Sequence, residues 1–443
     1  MGWGDAEVIS QPPLLQTFQS KVKKRCGFSL FKVKKMYFCR RLKIKNMDRL
    51  FKAYGRLLAE TDLKFTRYLY DNVNWDNRLI VIKGAKGVGK TTLLLQHIKK
   101  DFPNVEKALY ASLDHLWFAT HTILELAEYH YTHGGTHLFL DEVHKYKGWQ
   151  QEIKNIYDSY PQLHVVVTGS SMLKIDESLA ADLSRRHRLY TMEGLSFREY
   201  MRLERVAELP VCSLEEILNN HFMMASQITS EVKVLHHFEK YLKSGYYPFY
   251  REEGDGFFDR LQQVIETIIT NEIPSVGNIE YDSVYKAKQL LAVLAEQPPY
   301  TLNISSLCNT LQSSRNNVVK LLDLMSKAAL IRRLYASAEG MNMLTKPEKI
   351  LFYNTNLMFC LTSHADAGTL RETYLASQIG MAHKLSMPEK GDIVADGRWL
   401  FEVGGKRKGF SQIKDIEASY VVADDMEIGH GNKIPLWLFG LLY

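Results

Sequence analysis

The sequence contains no uninterrupted apolar run of about 18 residues, the length that a helix needs to cross a bilayer. Cysteine is scarce: five residues are scattered along 443, and none of them forms a CxxC pair. This pattern excludes a disulfide-stapled scaffold and a CxxC zinc site, and it suits a reducing, cytoplasmic compartment. The composition is otherwise that of a globular protein, and the length predicts two or three domains, each with its own core.

Excess basic charge is confined to the first part of the chain. Residues 1–46 hold eight Lys and three Arg against Asp5 and Glu7, a net +9, while the whole chain is +6 and its remainder therefore −3. One interpretation is an arm for nucleic acid or an anionic membrane. The interpretation that we favour is a native start at Met47, with 1–46 as upstream sequence or a disordered tail, because apolar residues at helical spacing begin there.

A phosphate-binding loop is the strongest motif. The apolar, β-branched run Leu79–Lys83 predicts a buried strand, and it leads into Gly84-Ala-Lys-Gly-Val-Gly-Lys-Thr91 and then a helix. Backbone amides and the helix N-terminus would surround the phosphates, Lys90 would neutralise their charge, and the Thr91 hydroxyl would bind Mg²⁺. The predicted nucleotide-binding residues are Gly84, Ala85, Lys86, Gly87, Val88, Gly89, Lys90, Thr91 and Thr92.

Two acids follow a second buried strand, His137–Leu140. Ligands of open α/β sheets bind at the carboxyl ends of the strands, which is where Asp141 and Glu142 stand. We expect Asp141 to hold Mg²⁺ and Glu142 to polarise the attacking water. A third strand, His164–Thr168, is followed by Ser170. Ser170, with Thr168 as the next candidate, either contacts the γ-phosphate or the attacking water, or Ser170 simply caps the next helix.

A basic cluster comes next in the chain. An arginine can stabilise the charge that develops on the γ-phosphate, either within the chain or from a neighbouring subunit. The candidates for this role are Arg185, Arg186 and Arg188. A solvated basic face is the alternative interpretation.

These motifs resemble, in order, a family of prokaryotic AAA+ ATPases that pairs an ATPase domain with a C-terminal domain of unknown function. The resemblance covers about 47–443 and includes Thr168–Ser171, Leu183–Arg186, Gly194–Tyr200 and Gly245–Tyr250. It implies ATP and Mg²⁺ as cofactors and the finger arginine at Arg186, although Arg185 replaces the family's glycine. It also implies a C-terminal fold resembling the PD-(D/E)xK nucleases.

The predicted fold class is α/β, and it comprises four modules after residue 46. They are a P-loop AAA+-like parallel sheet (47–195), a helical lid (196–290), a winged helix-turn-helix (291–355) and a restriction-endonuclease-like α/β domain (356–443). The helix after the turn Gln312–Ser314 would present Arg315, Asn316, Asn317 and Lys320, residue types that contact phosphates and base edges.

Acids in the last module form a candidate second metal site. Glu372, Asp392 and Glu402 are the acids that would gather a divalent metal in an active nuclease of this kind. The lysine belongs two residues after Glu402, where the chain has Gly404, and only a bulge would return Lys406 to the site. A nuclease fold without nuclease activity is therefore the expectation that we favour.

The sequence as a whole predicts an ATPase that uses ATP and Mg²⁺ to drive or switch its C-terminal modules. Double-stranded DNA or a protein is the expected partner, a homo-oligomer is compatible with a finger arginine in trans, and no membrane is expected. Two alternatives stay open. One is an ATP-gated, metal-dependent DNA nuclease, and the other is a DNA-binding regulator that binds ATP without hydrolysing it.

Overall fold

A computed structural model describes residues 47, 49–170, 183, 185–274, 281–296, 300–301, 303–336, 349–362 and 364–443. The basic segment 1–46 and Ser171 lie outside the described residues. Residues 49–60 are helical and precede the first sheet. In the described part of the chain, no helix is both long enough and apolar enough to span a bilayer.

A parallel five-stranded sheet carries the phosphate loop. Its strands are β1 (Leu79–Lys83), β2 (Ala108–Ser112), β3 (His137–Asp141), β4 (His164–Gly169) and β5 (Arg188–Thr191), in the spatial order β2-β3-β4-β1-β5. Because β4 lies between β1 and β3, the residues after β4 stand between the phosphate loop and the two acids. The sheet with its flanking helices matches a P-loop NTPase α/β fold, as expected.

Both faces of this sheet are buried, since side chains alternate along each strand. Helices α1 (Leu69–Asn72) and α2 (Lys90–Asp101) pack on one face, where Ile80 and Ile82 lie. Helices α3 (Ile123–Thr132) and α4 (Trp149–Ser159) cover the other face. Burial on two sides explains why the strands read as continuous apolar runs.

Further α-helices follow the sheet in the described part of the chain. They are α5 (Phe197–Leu203), α6 (Leu214–Glu231), α7 (Val234–Ser244), α8 (Tyr250–Glu253), α9 (Phe257–Thr267) with a π-helical turn at Ile268–Glu272, and α10 (Tyr281–Glu296). Capping boxes begin α5 and α6. In each, the serine hydroxyl (Ser196 or Ser213) accepts from the backbone N–H of the third helical residue, and the glutamate at that position accepts from the backbone N–H of the serine.

These helices are divided between two cores, and the assignment of 196–290 as a helical lid stays a prediction. Helices α5, α6 and α7 share a core with the C-terminal sheet, whereas α9 and its π turn pack into the core that contains α2. The amphipathic pattern shows that each helix has an apolar face, but it does not show which surface covers that face. The boundary at 195/196 stays a prediction.

A three-stranded antiparallel sheet follows α10. It contains β6 (Tyr300–Thr301), β7 (Ile331–Leu334) and β8 (Lys349–Phe352), and the two helices α11 (Ile304–Thr310) and α12 (Arg315–Lys327) lie between β6 and β7. The order helix, turn, helix, hairpin is the one expected from the sequence. Its assignment as a winged helix-turn-helix stays a prediction.

A mixed five-stranded sheet forms the C-terminal part. Helices α13 (Thr355–Leu361) and α14 (Ala367–Ile379) precede β9 (Leu385–Ser386), β10 (Ile393–Ala395), β11 (Trp399–Gly404), β12 (Ser419–Ala423) and β13 (Lys433–Pro435). The apolar run that follows β13 is a buried 3₁₀ helix, Leu436–Leu441, that packs on α5, α6 and α14.

Candidate nucleotide site

The phosphate loop between β1 and α2 needs glycine for backbone reasons. Gly87 and Gly89 have φ of 88° and 99°, in the left-handed region that favours glycine. A Cβ at Gly84 would lie 2.2 Å from the carbonyl oxygen of Met192, so the backbone there leaves no room for a side chain. Glycine is therefore needed at Gly84 for space and at Gly87 and Gly89 for the curved backbone of the loop.

Lys90 lies inside this loop with 5% of its surface exposed. Its Nζ donates to the carbonyl oxygens of Gly84 at 2.8 Å and Ala85 at 3.0 Å. Burial lowers the pKa of Lys90, and the nearby acids Glu142 and Asp141 oppose that shift. The ammonium group thus lies within the loop and near the acids. The oxygens of a phosphate bound in the loop would contact it there.

Asp141 is oriented by three hydroxyl groups. Thr91 Oγ1 donates to its Oδ2 at 2.5 Å, Tyr110 donates to the same oxygen at 2.9 Å, and Thr168 donates to Oδ1. Asp141 is 2% exposed, so these bonds also satisfy a buried carboxylate. The Thr91 hydroxyl and the Asp141 carboxylate are hard oxygen donors that meet at one point, and this pair fits a Mg²⁺ ion.

Glu142 stands beside them in an unusual backbone conformation. Its φ of 54° lies in the left-handed region, which places the carboxylate over the end of the sheet. Ser170 Oγ donates to Glu142 Oε2 at 3.2 Å, and His144 Nε2 lies 3.3 Å from the same oxygen. Burial raises the pKa of Glu142, while the charge of Lys90 lowers it. Burial and nearby charges of both signs thus act together on the Glu142 carboxylate, a combination that is frequent at functional sites.

The structure adds residues that the sequence did not single out. Tyr110 and His144 belong to the network around the acids, and so does Glu272, whose Oε1 lies 3.3 Å from Ser170 Oγ. Glu272 comes from the π turn after α9, more than a hundred positions along the chain. No spacing rule links it to the motifs, so only the fold could reveal it.

The loop is also braced from behind by a buried arginine. Arg67 donates to the carbonyl oxygen of Val88 at 2.5 Å, and it pairs with Glu199 of α5 at 3.0 Å. Arg67 also donates to the carbonyl oxygens of Glu193 and Gly194, each at 2.8 Å. Arg67 therefore ties the phosphate loop to the helix that begins the second core.

Aromatic residues of the segment Tyr246–Phe249 lie against the loop from another side. A Cβ at Gly87 would come within 2.7 Å of the Phe249 ring. Tyr247 accepts a hydrogen bond from Asn354 Nδ2 at 3.1 Å, in the turn between β8 and α13. The aromatic segment thus connects the phosphate loop, through Gly87, with the turn that follows the three-stranded sheet, through Asn354.

The arginines occupy a different surface. Arg186 pairs with Asp158, with Nε 3.2 Å from Oδ1, and its guanidinium lies over the Tyr157 ring. Arg185 and Arg188 are exposed. These contacts hold Arg186 against Tyr157 and Asp158 of α4, and its role as a finger arginine stays a prediction.

The C-terminal acids do come together, but a lysine of β8 lies among them. Lys349 Nζ is 2.5 Å from Glu372 Oε2 and 3.4 Å from Asp392 Oδ1, while Lys408 pairs with Glu402. Burial raises the pKa of Glu372 to about 7. The ammonium group of Lys349 thus pairs with two of the three acids.

The residue nominated as the nuclease lysine, Lys406, is not part of this cluster. Its side chain is exposed and its carbonyl oxygen accepts from Lys433 Nζ at 2.7 Å, so the chain after β11 brings Lys408 to Glu402 instead. Within the described ranges, no group of three or more His, Cys, Asp or Glu is placed to hold a metal. The second metal site at Glu372, Asp392, Glu402 and Lys406 stays a prediction, and the structure brings Lys408 rather than Lys406 to Glu402.

The exposed face of α12 carries part of the predicted nucleic-acid surface. Arg315, Asn316 and Lys320 are exposed. Asn317 is half-buried, and its Nδ2 donates to Ser313 Oγ at 2.8 Å, which holds its side chain against the turn. Three of the four predicted side chains are thus accessible.

Comparisons with known proteins agree with the geometry of the first sheet. Residues 76–201 match the family described as an AAA domain. This segment is similar to AAA-type P-loop ATPases. Residues 235–367 match a domain of unknown function.

Individual relatives are distant. The chain is 28% identical over 324 residues to an uncharacterized protein of Methanocaldococcus jannaschii, a match that covers 67% of this chain and 68% of that protein. Among solved structures, a Walker-type ATPase of Pyrococcus abyssi has 13% identity and a TM-score of 0.39, and the match covers 67% of this chain and 95% of that one. Another is the AMPPCP-bound DnaA of Aquifex aeolicus, with 13% identity, a TM-score of 0.25 and coverages of 58% and 84%.

Proposed function

We propose that this protein binds ATP with Mg²⁺ and hydrolyses the bond between the β- and γ-phosphates. The observation that carries the proposal is the convergence of Lys90, Thr91, Asp141 and Glu142 at one edge of the sheet, with Thr91 Oγ1 2.5 Å from Asp141. The match of 76–201 to the AAA domain family supports the same conclusion.

Each residue has a definite part in that reaction. The loop amides and Lys90 would hold the phosphates, and Thr91 and Asp141 would hold Mg²⁺, which would neutralise charge on the phosphate oxygens. Glu142 orients a water and accepts its proton as the water oxygen bonds to the γ-phosphorus. The bond to the bridging oxygen breaks, and ADP leaves with that electron pair. Ser170 fixes the Glu142 carboxylate for this task.

Substituting Glu142→Gln tests the proposal directly. The amide keeps the shape of the side chain but cannot accept the proton, so we expect ATP to bind with near-normal affinity and turnover to fall by about 10²-fold or more. Steady-state phosphate release and the binding of a fluorescent ATP analogue measure the two quantities. Lys90→Ala is the control variant, in which we expect the binding of ATP itself to be lost. Unchanged turnover in Glu142→Gln would remove this role from Glu142, and no Lys90-dependent turnover in the wild type would favour a regulator that only binds ATP.

We also propose that nucleic acid is an effector of this ATPase, because α12 presents Arg315, Asn316 and Lys320 to solvent. Phosphate contacts of this kind release counterions and are salt-sensitive. Turnover should rise with double-stranded DNA, and Arg315→Ala with Lys320→Ala should remove that rise without changing basal turnover. Lys327→Ala removes a charge from the same helix, where Lys327 pairs with Asp323, and should leave the response intact. Turnover indifferent to DNA would point to a protein effector instead.

A further inference from the structure

Glu272 is a buried acid with no assigned task, and it reaches the nucleotide site from the helical core. It is 5% exposed and closes the π-helical turn Ile268–Glu272. Its Oε1 lies 3.3 Å from Ser170 Oγ, and Ser170 Oγ lies 3.2 Å from Glu142 Oε2. One hydroxyl group thus stands between the glutamate that serves the water and a second glutamate from a distant helix.

Ser170 cannot satisfy both carboxylates at once. A serine hydroxyl carries a single proton, so it donates to one acceptor at a time. His144 Nε2, 3.4 Å from Ser170 Oγ, can accept only when that nitrogen carries no proton, and the two carboxylates Glu142 and Glu272 are the other acceptors. We consider the choice between these two carboxylates. When it donates to Glu142, that carboxylate is held through Oε2, where His144 also lies at 3.3 Å. When it donates to Glu272, Glu142 loses one of these two restraints. The geometry therefore contains two alternative hydrogen-bonding arrangements with different consequences for Glu142.

The π turn connects this choice to the helical core. Single π turns rotate the side chains that follow them, and they occur frequently at functional sites. Ile269, within the π turn, and Ile273, directly after it, are both buried in the core that also contains residues of α12. Helix α9 contacts α13, and the π turn contacts α10. A shift of this core would move Glu272 relative to Ser170.

We propose that Glu272 is a positioning residue that competes with Glu142 for the Ser170 hydroxyl and so couples the helical core to the rate of ATP hydrolysis. This inference rests on the proposed ATPase function. Glu272 acts on the hydrolytic step through Ser170, so we expect its main effect to be on turnover. Its charge also acts on Lys90 and Glu142 directly, and the Ser170→Ala background and the charge-retaining Glu272→Asp separate that effect from the one through Ser170.

The test compares Glu272→Gln with the wild type. A neutral amide is a weaker acceptor than a carboxylate, so Ser170 should donate to Glu142 for more of the time. We expect kcat to rise roughly 3- to 10-fold, with KM and the affinity for a fluorescent ATP analogue changed by less than about twofold. Glu266→Gln is the matched control, because Glu266 lies on the same helix, is half exposed and pairs with Lys288.

A double-mutant cycle separates coupling from a general effect on stability. In a Ser170→Ala background the hydroxyl is gone, so Glu272→Gln should have no further effect on kcat. If Glu272→Gln folds poorly, Glu272→Asp keeps the charge but withdraws the carboxylate from Ser170, and kcat should again rise. An unchanged or lower kcat, or an effect that persists without Ser170, would overturn the inference. A wild type without Lys90-dependent turnover would instead overturn the proposed function.

Discussion

At the scale of single residues, the site depends on buried charges whose partners are supplied by distant parts of the chain. Arg67 and Glu199 are an example, with side chains 5% and 0% exposed and 132 positions between them. A buried ion pair contributes little net stability, but removing one partner leaves the other charge buried and unpaired. The phosphate loop therefore depends on an interaction that no local motif encodes.

Replacing Arg67 should be costly. We expect Arg67→Met to lower the free energy of unfolding by about 3–5 kcal/mol, because Glu199 would remain buried without its cation. Arg186→Met is the control: the Arg186–Asp158 pair has side chains 34% and 49% exposed. Loss of such a surface pair should cost about 0–1 kcal/mol. Urea denaturation of both variants checks the difference, and similar costs would contradict it.

Stability should also depend on pH through His137. Burial lowers the pKa of His137 to about 4 from its usual 6.5, and the neighbouring rings of His164 and His97 add to this shift. The unfolded chain therefore binds a proton at a higher pH than the folded protein does. The free energy of unfolding should fall as the pH drops from 6.5 toward 4, by roughly 3 kcal/mol at most.

His137→Phe is the variant that isolates this effect. Phenylalanine keeps a ring beside His164, whose centroid lies 4.6 Å from that of His137, but it does not titrate. Thermal unfolding at several pH values should show a shallower decline below pH 6.5 than in the wild type. An identical decline would assign the effect to other groups.

At the scale of elements, the phosphate loop shows how much of the site the sequence predicts. The strand β1, the loop and α2 could be predicted because their spacing reports local backbone geometry, and Asp141 and Glu142 follow from the end of β3. Glu272 could not be predicted, because its approach depends on how α9 packs. Lys349 could not be predicted either, since its contact with Glu372 joins two elements with no shared pattern.

The loop also separates two effects of a glycine substitution. Gly87→Ala meets both a positive φ of 88° and the Phe249 ring at 2.7 Å, whereas Gly148→Ala meets a φ of 81° with no heavy atom within 4 Å. Both should lose about 1 kcal/mol of stability from backbone strain. Only Gly87→Ala should also weaken the binding of an ATP analogue, by about tenfold or more. Equal binding by both variants would mean that Phe249 does not constrain the loop.

At the scale of the whole molecule, two cores draw on interleaved parts of the chain. Helices α5–α7 precede the three-stranded sheet in sequence, yet they pack with the C-terminal sheet and its last helix. Trp437 is 1% exposed in this second core, and the helix that contains it contacts α5, the helix of Glu199. A substitution that disrupts packing at Trp437 should therefore also disturb the phosphate loop, through α5 and Arg67.

Trp437→Ala tests this connection. The lost contacts and the cavity should cost about 3–5 kcal/mol, and ATP affinity should fall because α5 supports Arg67. Trp437→Phe fills more of the space and should lose less of both. Guanidinium unfolding and ATP-analogue binding measure the two effects. Weakened stability with unchanged affinity in Trp437→Ala would show that the second core does not support the loop.

The interleaving also has a consequence for how the protein is made. As the chain leaves the ribosome, α5–α7 emerge long before Tyr374, Phe401 and Phe439, the residues that bury their apolar faces. Domains usually fold as units in the order of synthesis, but here an early segment must wait for a late one. Its exposed surface during that interval would be a target for chaperones. The last strand and helix would then complete the packing around α5, the helix whose Glu199 pairs with Arg67 behind the phosphate loop.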